Sequence, residues 1–485
     1  MITNQTLVST EERFKNPPSI YRGTPFWAWN CKINEIDLEK QIDYFNEMGM
    51  GGFHIHCRTG MNTPYLSDEF MDYVKKCNEI AKEKNMLCWL YDEDRYASGY
   101  GGGYVTKHYE YRERSLVFAP DKPSEDYLPN KTEFDQALSR GEIPRGYILA
   151  SYQITLMEDL LAGYKRLEGF ENSEIFESND NIWWAYVEID ETSSWWNNQT
   201  YVDTLNKKAI DEFIYVTHDK YYEVLGKEFS QSIPAIFTDE PQFIKIEHLN
   251  FATEKRRICL PFTDDLPDTY YNTYGVSLMD ILPEIIWQPS DNQISLNRYR
   301  FINHVTDRFV EAYAKNIGSW CENHNIALSG HMKAEENLES QTEYVGEVMR
   351  SLRHFHIPGH DVLCDQRDYA TAKQAQSVAH QYGRIGAMSE LYGVTNWDFD
   401  FRGHKMSGDW QAALGITVRV HHLAWMSMKG EAKRDYPASI FYQSPWYKEY
   451  HIIEDYFARI NTALTRGKAQ VRIGVIHPIE SYWLH

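Results

Sequence analysis

Residues able to do chemistry recur in this chain directly after short apolar runs. "PFWAWN" ends on Trp29 and Asn30, and "GFHIHCR" carries His54, His56 and Arg58. "MLCWLYDEDR" ends on Asp92, Glu93, Asp94 and Arg95, and "IPAIFTDEP" delivers Asp239 and Glu240. "IALSGH" ends on His331, "GHDVL" holds His360 and Asp361, "AMSELYG" holds Glu390 and Tyr392, and "VRVHHLAW" carries His421, His422 and Trp425. Two of these runs stop at a glutamate, Glu240 and Glu390. A pair of carboxyls brought to one point can divide the work of splitting a glycosidic bond. One is protonated and helps the leaving oxygen depart; the other is ionised and acts as nucleophile or as base for water. Different surroundings push the two in different directions. Glu336, in "KAEENLES", is a reserve for the second role. The competing reading makes each glutamate a structural ion-pair partner.

The elements that must carry these residues alternate strand and helix. "TPFWAWN" reads as a strand, then Asn34 caps a helix with Leu38, Ile42 and Phe45 on one face. "MGGFHIHCRTG" is a second strand, followed by a helix with Ser67 as N-cap, and "MLCWLYDEDR" is a third. Residues 111 to about 200 break the rhythm and read as an insertion. The rhythm resumes with a helix from about Asn206 and the runs at 233–241, 326–331, 359–363, 385–393 and 416–427. Eight strands with helices between them predict a (β/α)₈ barrel, whose active site lies at the C-terminal strand ends. That face is where the polar residues collect, with strands four and seven across the mouth from each other. The expected domains are a barrel over 1–470 and, from "AQVRIGVIHPIESYWLH", the first strand of a truncated second domain over 471–485.

Composition narrows the function classes. The chain has 485 residues, 42% hydrophobic and 25% charged, the mix of a soluble globular protein. A net charge of −21 argues against a nucleic-acid surface. No run of 18 apolar residues suggests a membrane span. Seven scattered cysteines without a CxxC fit reduced thiols and a cytoplasmic setting, as does a polar N-terminus without an apolar leader. Oligomeric state is not legible. Aromatics make up 14% of the chain, and Trp27, Trp29, Trp397 and Trp425 are candidate platforms for a sugar face, against a plain core role.

Two further motifs carry alternatives. "YDEDRYASGYGGG" lacks the Gly-Lys-Ser/Thr ending of a phosphate loop, so it reads as a loop passing close to a sugar, with Asp92 or Glu93 accepting hydroxyl hydrogen bonds and Arg95 holding the acids. A structural Asp–Arg network is the plain alternative. His54 and His56 stand two apart on a strand and so face one side. They suit sugar hydroxyls; as a His-x-His pair with His331 and His360 they also suit a metal-dependent amidohydrolase barrel. A non-catalytic sugar-binding barrel is the third class.

"PFWAWN", "GMGGFHIHCRTGMNTPYLSDEFMDYV", "LYDEDRYASGYGGG", "YVDTLN", "FTDEP", "SGHMKAEENLESQ", "IPGHDVL" and "SELYG" occur in this order. Together they resemble the catalytic barrel of glycoside hydrolase family 106, the α-L-rhamnosidases, over roughly residues 20 to 485. The resemblance implies an acid at Glu240, a basic carboxylate at Glu390, inversion at the anomeric carbon, and calcium near the sugar hydroxyls, with no cofactor required for the chemistry. It implies an oligosaccharide or glycoside partner; the residues expected to hold it, from their places at the strand ends, are Trp29, Asn30, His54, His56, Arg58, Asp92, Glu93, Arg95, Asp239, His331, Asp361, Tyr392 and Trp425. Galactosidase-type barrels share glutamates on strands four and seven, which keeps a retaining β-galactosidase-like reading open.

Overall fold

The computed structural model describes residues 10–123, 128–167, 181–290, 294–467 and 469–484. Eight parallel runs form the central sheet: β1 (Phe26–Trp29), β2 (Gly52–Cys57), β3 (Leu87–Tyr91), β4 (Ala235–Asp239), β5 (Ala327–His331), β6 (Ile357–Val362), β7 (Ala387–Leu391) and β8 (Ile416–His421). The chain leaving β8 adds two more residues, Ala424–Trp425, which pair with Trp27 and Ala28 of β1. The last segment therefore touches both β7 and β1, and the sheet closes into the expected (β/α)₈ barrel.

Strand alternation decides what each side chain faces. Phe26, Ala28, Trp89, Tyr91, Ala235, Phe237, Ile357, Met388, Val418 and Val420 share one apolar cluster inside the barrel. Residues of the other parity meet the helical layer. Trp27 donates Nε1–H to Gln41 at 2.8 Å, and Trp29 packs edge-on to Phe70 at 5.6 Å. The caps expected from sequence are present: Asn34, Ser67 and Asn206 each accept a backbone N–H through the side chain.

Gly330, just before the end of β5, lies so close to β4 that a Cβ there would sit 1.9 Å from the Thr238 carbonyl oxygen, at φ +128°. That approach sets His331 beside Asp239 in register. At the seam, buried Glu454 of helix His451–Leu464 accepts from Gly23 N at 2.6 Å, from both Nη atoms of Arg419 at 3.0 and 2.6 Å, and from His421 Nε2 at 3.1 Å. This cluster latches β8 and its helix to the start of β1.

The insertion is a five-stranded antiparallel sheet. Four strands come from the expected segment: Arg114–Ala119, Gly146–Met157, Leu160–Arg166 and Ile182–Ile189. The fifth, Ile258–Pro261, comes from beyond β4 and pairs with Arg114–Ala119. The accessory sheet thus spans two insertions, where the sequence suggested one ending near residue 200. Residues 471–478, expected to open a new strand, are in no strand. Val471, Ile473, Val475 and Ile476 are exposed, and the short helix Ile479–Tyr482 follows. Among the described residues no helix is long and apolar enough to cross a membrane. The seven cysteines are all free.

Candidate active site

Asp239, His331 and Glu390 end β4, β5 and near-end β7 on the inward parity, and their side chains meet. His331 Nε2 lies 2.8 Å from Glu390 Oε2 and 3.5 Å from Asp239 Oδ1. With a carboxylate on either side, that nitrogen carries the proton. Burial opposes charge on His331, but the hydrogen bond and charge of Glu390, with Asp239 and Asp361 nearby, raise its pKa well above the ordinary imidazole value. Burial also holds the Glu390 carboxyl up at about 7, with the Asp239 charge adding to it and His331 and Arg58 pulling the other way. Tyr91, inward on β3, donates its hydroxyl to Asp239 Oδ2 at 2.5 Å.

Glu240 follows Asp239 at the rim. Its backbone sits at φ +46°, a left-handed conformation that a non-glycine residue adopts at a cost. The turn swings its side chain onto Lys333, whose Nζ donates to Oε2 at 2.8 Å. Burial raises the Glu240 pKa against the pull of Lys333, and the neighbouring Asp239 charge raises it further. The mouth therefore presents two glutamates in unlike settings, one beside an imidazolium and one beside an ammonium.

Other expected residues ring this group. Arg58 donates Nη2–H to His422 Nε2 at 3.2 Å and pairs with Asp435 through Nη1 at 3.1 Å, tying the loop after β8 across the mouth. Burial and the Arg58 charge push His422 down to about 4, so it accepts as a neutral imidazole. His56 Nδ1 donates to the Cys57 carbonyl at 2.8 Å, its ring stacks on Tyr91 at 3.8 Å, and Nε2 is left as an unpartnered acceptor. Asp361 stands opposite Glu390 in the β6–β7 register with Oδ1 buried and unpartnered; burial and the Glu390 charge raise its pKa well above the carboxylate range. Trp425 lines the interior and meets Trp397 edge-on at 5.7 Å.

The structure places several expected residues elsewhere. Trp29 is outward, against Phe70 and Trp27. His54 lies deeper, among Phe26, Trp89 and Phe237, with Nδ1 at 3.0 Å from the Thr24 carbonyl. Asn30 exchanges two hydrogen bonds with the backbone of Ser427. Asp92 points outward and accepts from Ser98 Oγ at 2.6 Å; the same hydroxyl accepts from Asp239 N at 2.9 Å. Glu93 is enclosed by its own glycine-rich loop, accepting from the backbone N–H groups of Asp94, Gly99, Gly101 and Gly102. Arg95 turns to Asp94 and Asn197. Tyr392 packs on His404 and His421 in the helical layer. Glu336, the reserve carboxylate, is exposed and accepts from Ser340. Its neighbour Glu335 is buried, accepts from Met332 N and Asp361 N, and is raised to about 8 by burial. Tyr91, Lys333, Glu335 and Asp435 went unread in the sequence. Tyr91 closes the apolar run of β3 in the sequence, and the structure turns it inward with Trp89.

Among the described residues, Asp239, His331 and Glu390 are a group whose ligand atoms all lie within 4.8 Å of one another. One of the three is an imidazole nitrogen, and calcium takes six to eight oxygens, so this trio is no calcium cage. His54 and His56 do not enter it.

No protein-family model matches the chain, and no curated protein matches it. Among solved structures it is similar to a rhamnosidase from Novosphingobium sp. PP1Y, with a TM-score of 0.64 at 13% identity over 95% of this chain and 61% of that one. The chain thus spans about 61% of that rhamnosidase's length. Looser likenesses are to a β-galactosidase from Marinomonas ef1 (TM-score 0.43, 8% identity, 89% of this chain and 59% of that one) and an endo-β-1,4-mannanase from Thermotoga petrophila (TM-score 0.42, 8% identity, 91% and 78%). At these identities the likeness is one of fold.

Proposed function

We propose that the chain is a glycoside hydrolase, with Glu240 as general acid and Glu390 as the carboxylate that activates water. The observation that carries this reading is the pairing of unlike carboxyls at one barrel mouth. Glu390, at about 7 and held by the His331 N–H, is a stronger base than an ordinary glutamate. Glu240, raised by burial, holds a proton more readily than an exposed carboxyl. In the proposed reaction Glu240 gives its proton to the glycosidic oxygen as the anomeric C–O bond breaks. Glu390 removes a proton from water as its oxygen bonds to the anomeric carbon. His331 steadies Glu390 while it is anionic, and Arg58, His56, Asp361 and Trp425 contact the glycone.

The finer reading is an inverting enzyme of α-L-rhamnosidase type. The ordered motifs support it, together with the likeness in fold to a rhamnosidase. A second reading exchanges the two roles, and the Lys333–Glu240 contact at 2.8 Å favours it, because an ammonium stabilises an ionised carboxylate.

A panel of nitrophenyl glycosides, α-L-rhamnoside and β-galactoside first, tests the function. Hydrolysis that is lost in Glu390→Ala and only partly reduced in Glu240→Ala, because nitrophenolate departs with little help from an acid, is the expected result. A well-folded protein inert on the panel, or full activity in either variant, overturns the reading.

A further inference from the structure

The segment "SSWWNNQ", residues 193–199 of the accessory insertion, has no part in the chemistry above, yet it reaches the barrel mouth. Ser193 and Gln199 close it as a hairpin, with Ser193 N donating to Gln199 O at 2.8 Å. Asn197 then fastens it to the loop after β3. Its Nδ2 donates to Asp94 Oδ2 at 2.9 Å and to the Gly102 carbonyl at 3.0 Å, and its Oδ1 accepts from Arg95 Nη2 at 3.0 Å. The two tryptophans part company. Trp196 turns inward and packs on Tyr100 and Tyr201, at 5.0 and 4.9 Å between ring centres. Trp195 is left 45% exposed, with the Arg95 guanidinium over its ring at 5.9 Å.

What makes that exposed ring informative is its neighbour. Trp195 meets Tyr96 edge-on at 5.9 Å. Tyr96 has the Lys333 ammonium over its ring at 5.7 Å, and Lys333 is the residue bonded to Glu240. A row therefore runs from the Glu240 carboxyl through Lys333 and Tyr96 to Trp195, outward from the barrel and onto the insertion. In the proposed reaction Glu240 protonates the leaving oxygen, so whatever is attached to that oxygen lies on the Glu240 side of the mouth. Aromatic faces stack on the C–H faces of a pyranose and on aryl rings.

We propose that Tyr96 and Trp195 form a leaving-group subsite, a platform for the ring of a sugar or aryl aglycone, supplied by the accessory insertion and held in place by Asn197. This rests on the glycosidase reading with Glu240 as acid. The substrate class is then a glycoside whose leaving group is itself a ring, not a short alkyl chain.

The test compares two substrates of whichever glycone the wild type accepts: a disaccharide, and the glycosyl fluoride, whose leaving group has no ring. The readout is the ratio of kcat/KM for disaccharide over fluoride. Loss of one stacked ring in Trp195→Ala lowers that ratio by about threefold to tenfold. Trp195→Phe, which keeps an aromatic face, restores most of it, and Asn197→Ala, which frees the hairpin, lowers it. A ratio unchanged in Trp195→Ala and Asn197→Ala, while the wild type hydrolyses both substrates, overturns the subsite and leaves the glycosidase reading standing. A folded wild type inert on the disaccharides and fluorides of every glycone tried overturns the two together.

Discussion

Replacing His331 by glutamine removes a charge from the centre of the site and keeps a hydrogen-bond donor. In the wild type the Glu390 carboxyl stands at about 7 against an ordinary 4.5, a burden of about 3 kcal/mol on its anion. His331 at 2.8 Å is the contact that opposes this burden most. Glutamine still donates to the anion, so what is lost is the attraction of the imidazolium charge, and an opposite charge this close holds a carboxyl down by about 1–3 pH units. The lower end of that range, about one pH unit, is about 1.4 kcal/mol. If Glu390 must be ionised to activate water, the wild-type kcat/KM rises as pH passes through about 7, and in His331→Gln the same limb moves to about 8. The assay is the pH profile of kcat/KM on an activated aryl glycoside, with the denaturant midpoint measured alongside to show that the variant is folded. A limb that stays in place, or moves to lower pH, refutes the coupling of His331 to the working carboxylate.

Glu240→Gln should lower the rate on unactivated glycosides by about 10²–10⁴-fold and by far less on substrates with good leaving groups; an equal loss on both would remove Glu240 from the acid's role. Glu454→Gln leaves Arg419 buried without its countercharge, and breaking such a pair costs about 3–5 kcal/mol, read as a lower urea midpoint; an unmoved midpoint would show that the seam does not depend on this latch. His54, His218, His360 and His404 are each held down to about 3 by burial. An unfolded histidine takes up its proton below about 6.5 and these do not, so each removes stability as pH falls from about 6.5 towards 3, by about 1.4 kcal/mol per pH unit. Because the raised carboxyls of Glu335 and Glu390 act in the opposite sense over the same range, the check is a difference: the fall in urea midpoint from pH 7 to pH 5 should be smaller in His404→Gln than in the wild type, and an equal change in both contradicts it.

The barrel was legible because short apolar runs recur at strand spacing and several of the helices between them open on a side-chain cap, as at Asn34, Ser67 and Asn206. The mouth was legible only to within one residue. A strand turns successive side chains to opposite faces, so proximity to a strand end does not say which face a residue joins. Asp239, His331 and Glu390 are inward; Trp29 and Asp92 sit one step off that parity and face the helices. Glu93 was misread because its partners are backbone N–H groups of its own loop, which side-chain types do not reveal. The fifth accessory strand, Ile258–Pro261, is four residues long and pairs with a segment far back in the chain, beyond the reach of any local pattern. Lys333 lies past the end of β5 in a loop, and only the fold brings it to Glu240.

The central claim is that Glu240 and Glu390 split a glycosidic bond by direct attack of water. Proton NMR of the anomeric signals during the first minutes of hydrolysis of an α-L-rhamnoside tests it most directly. The expected product is β-L-rhamnose, appearing before mutarotation and absent with Glu390→Ala. First release of the α-anomer, or no sugar released at all by folded wild-type protein, would contradict it.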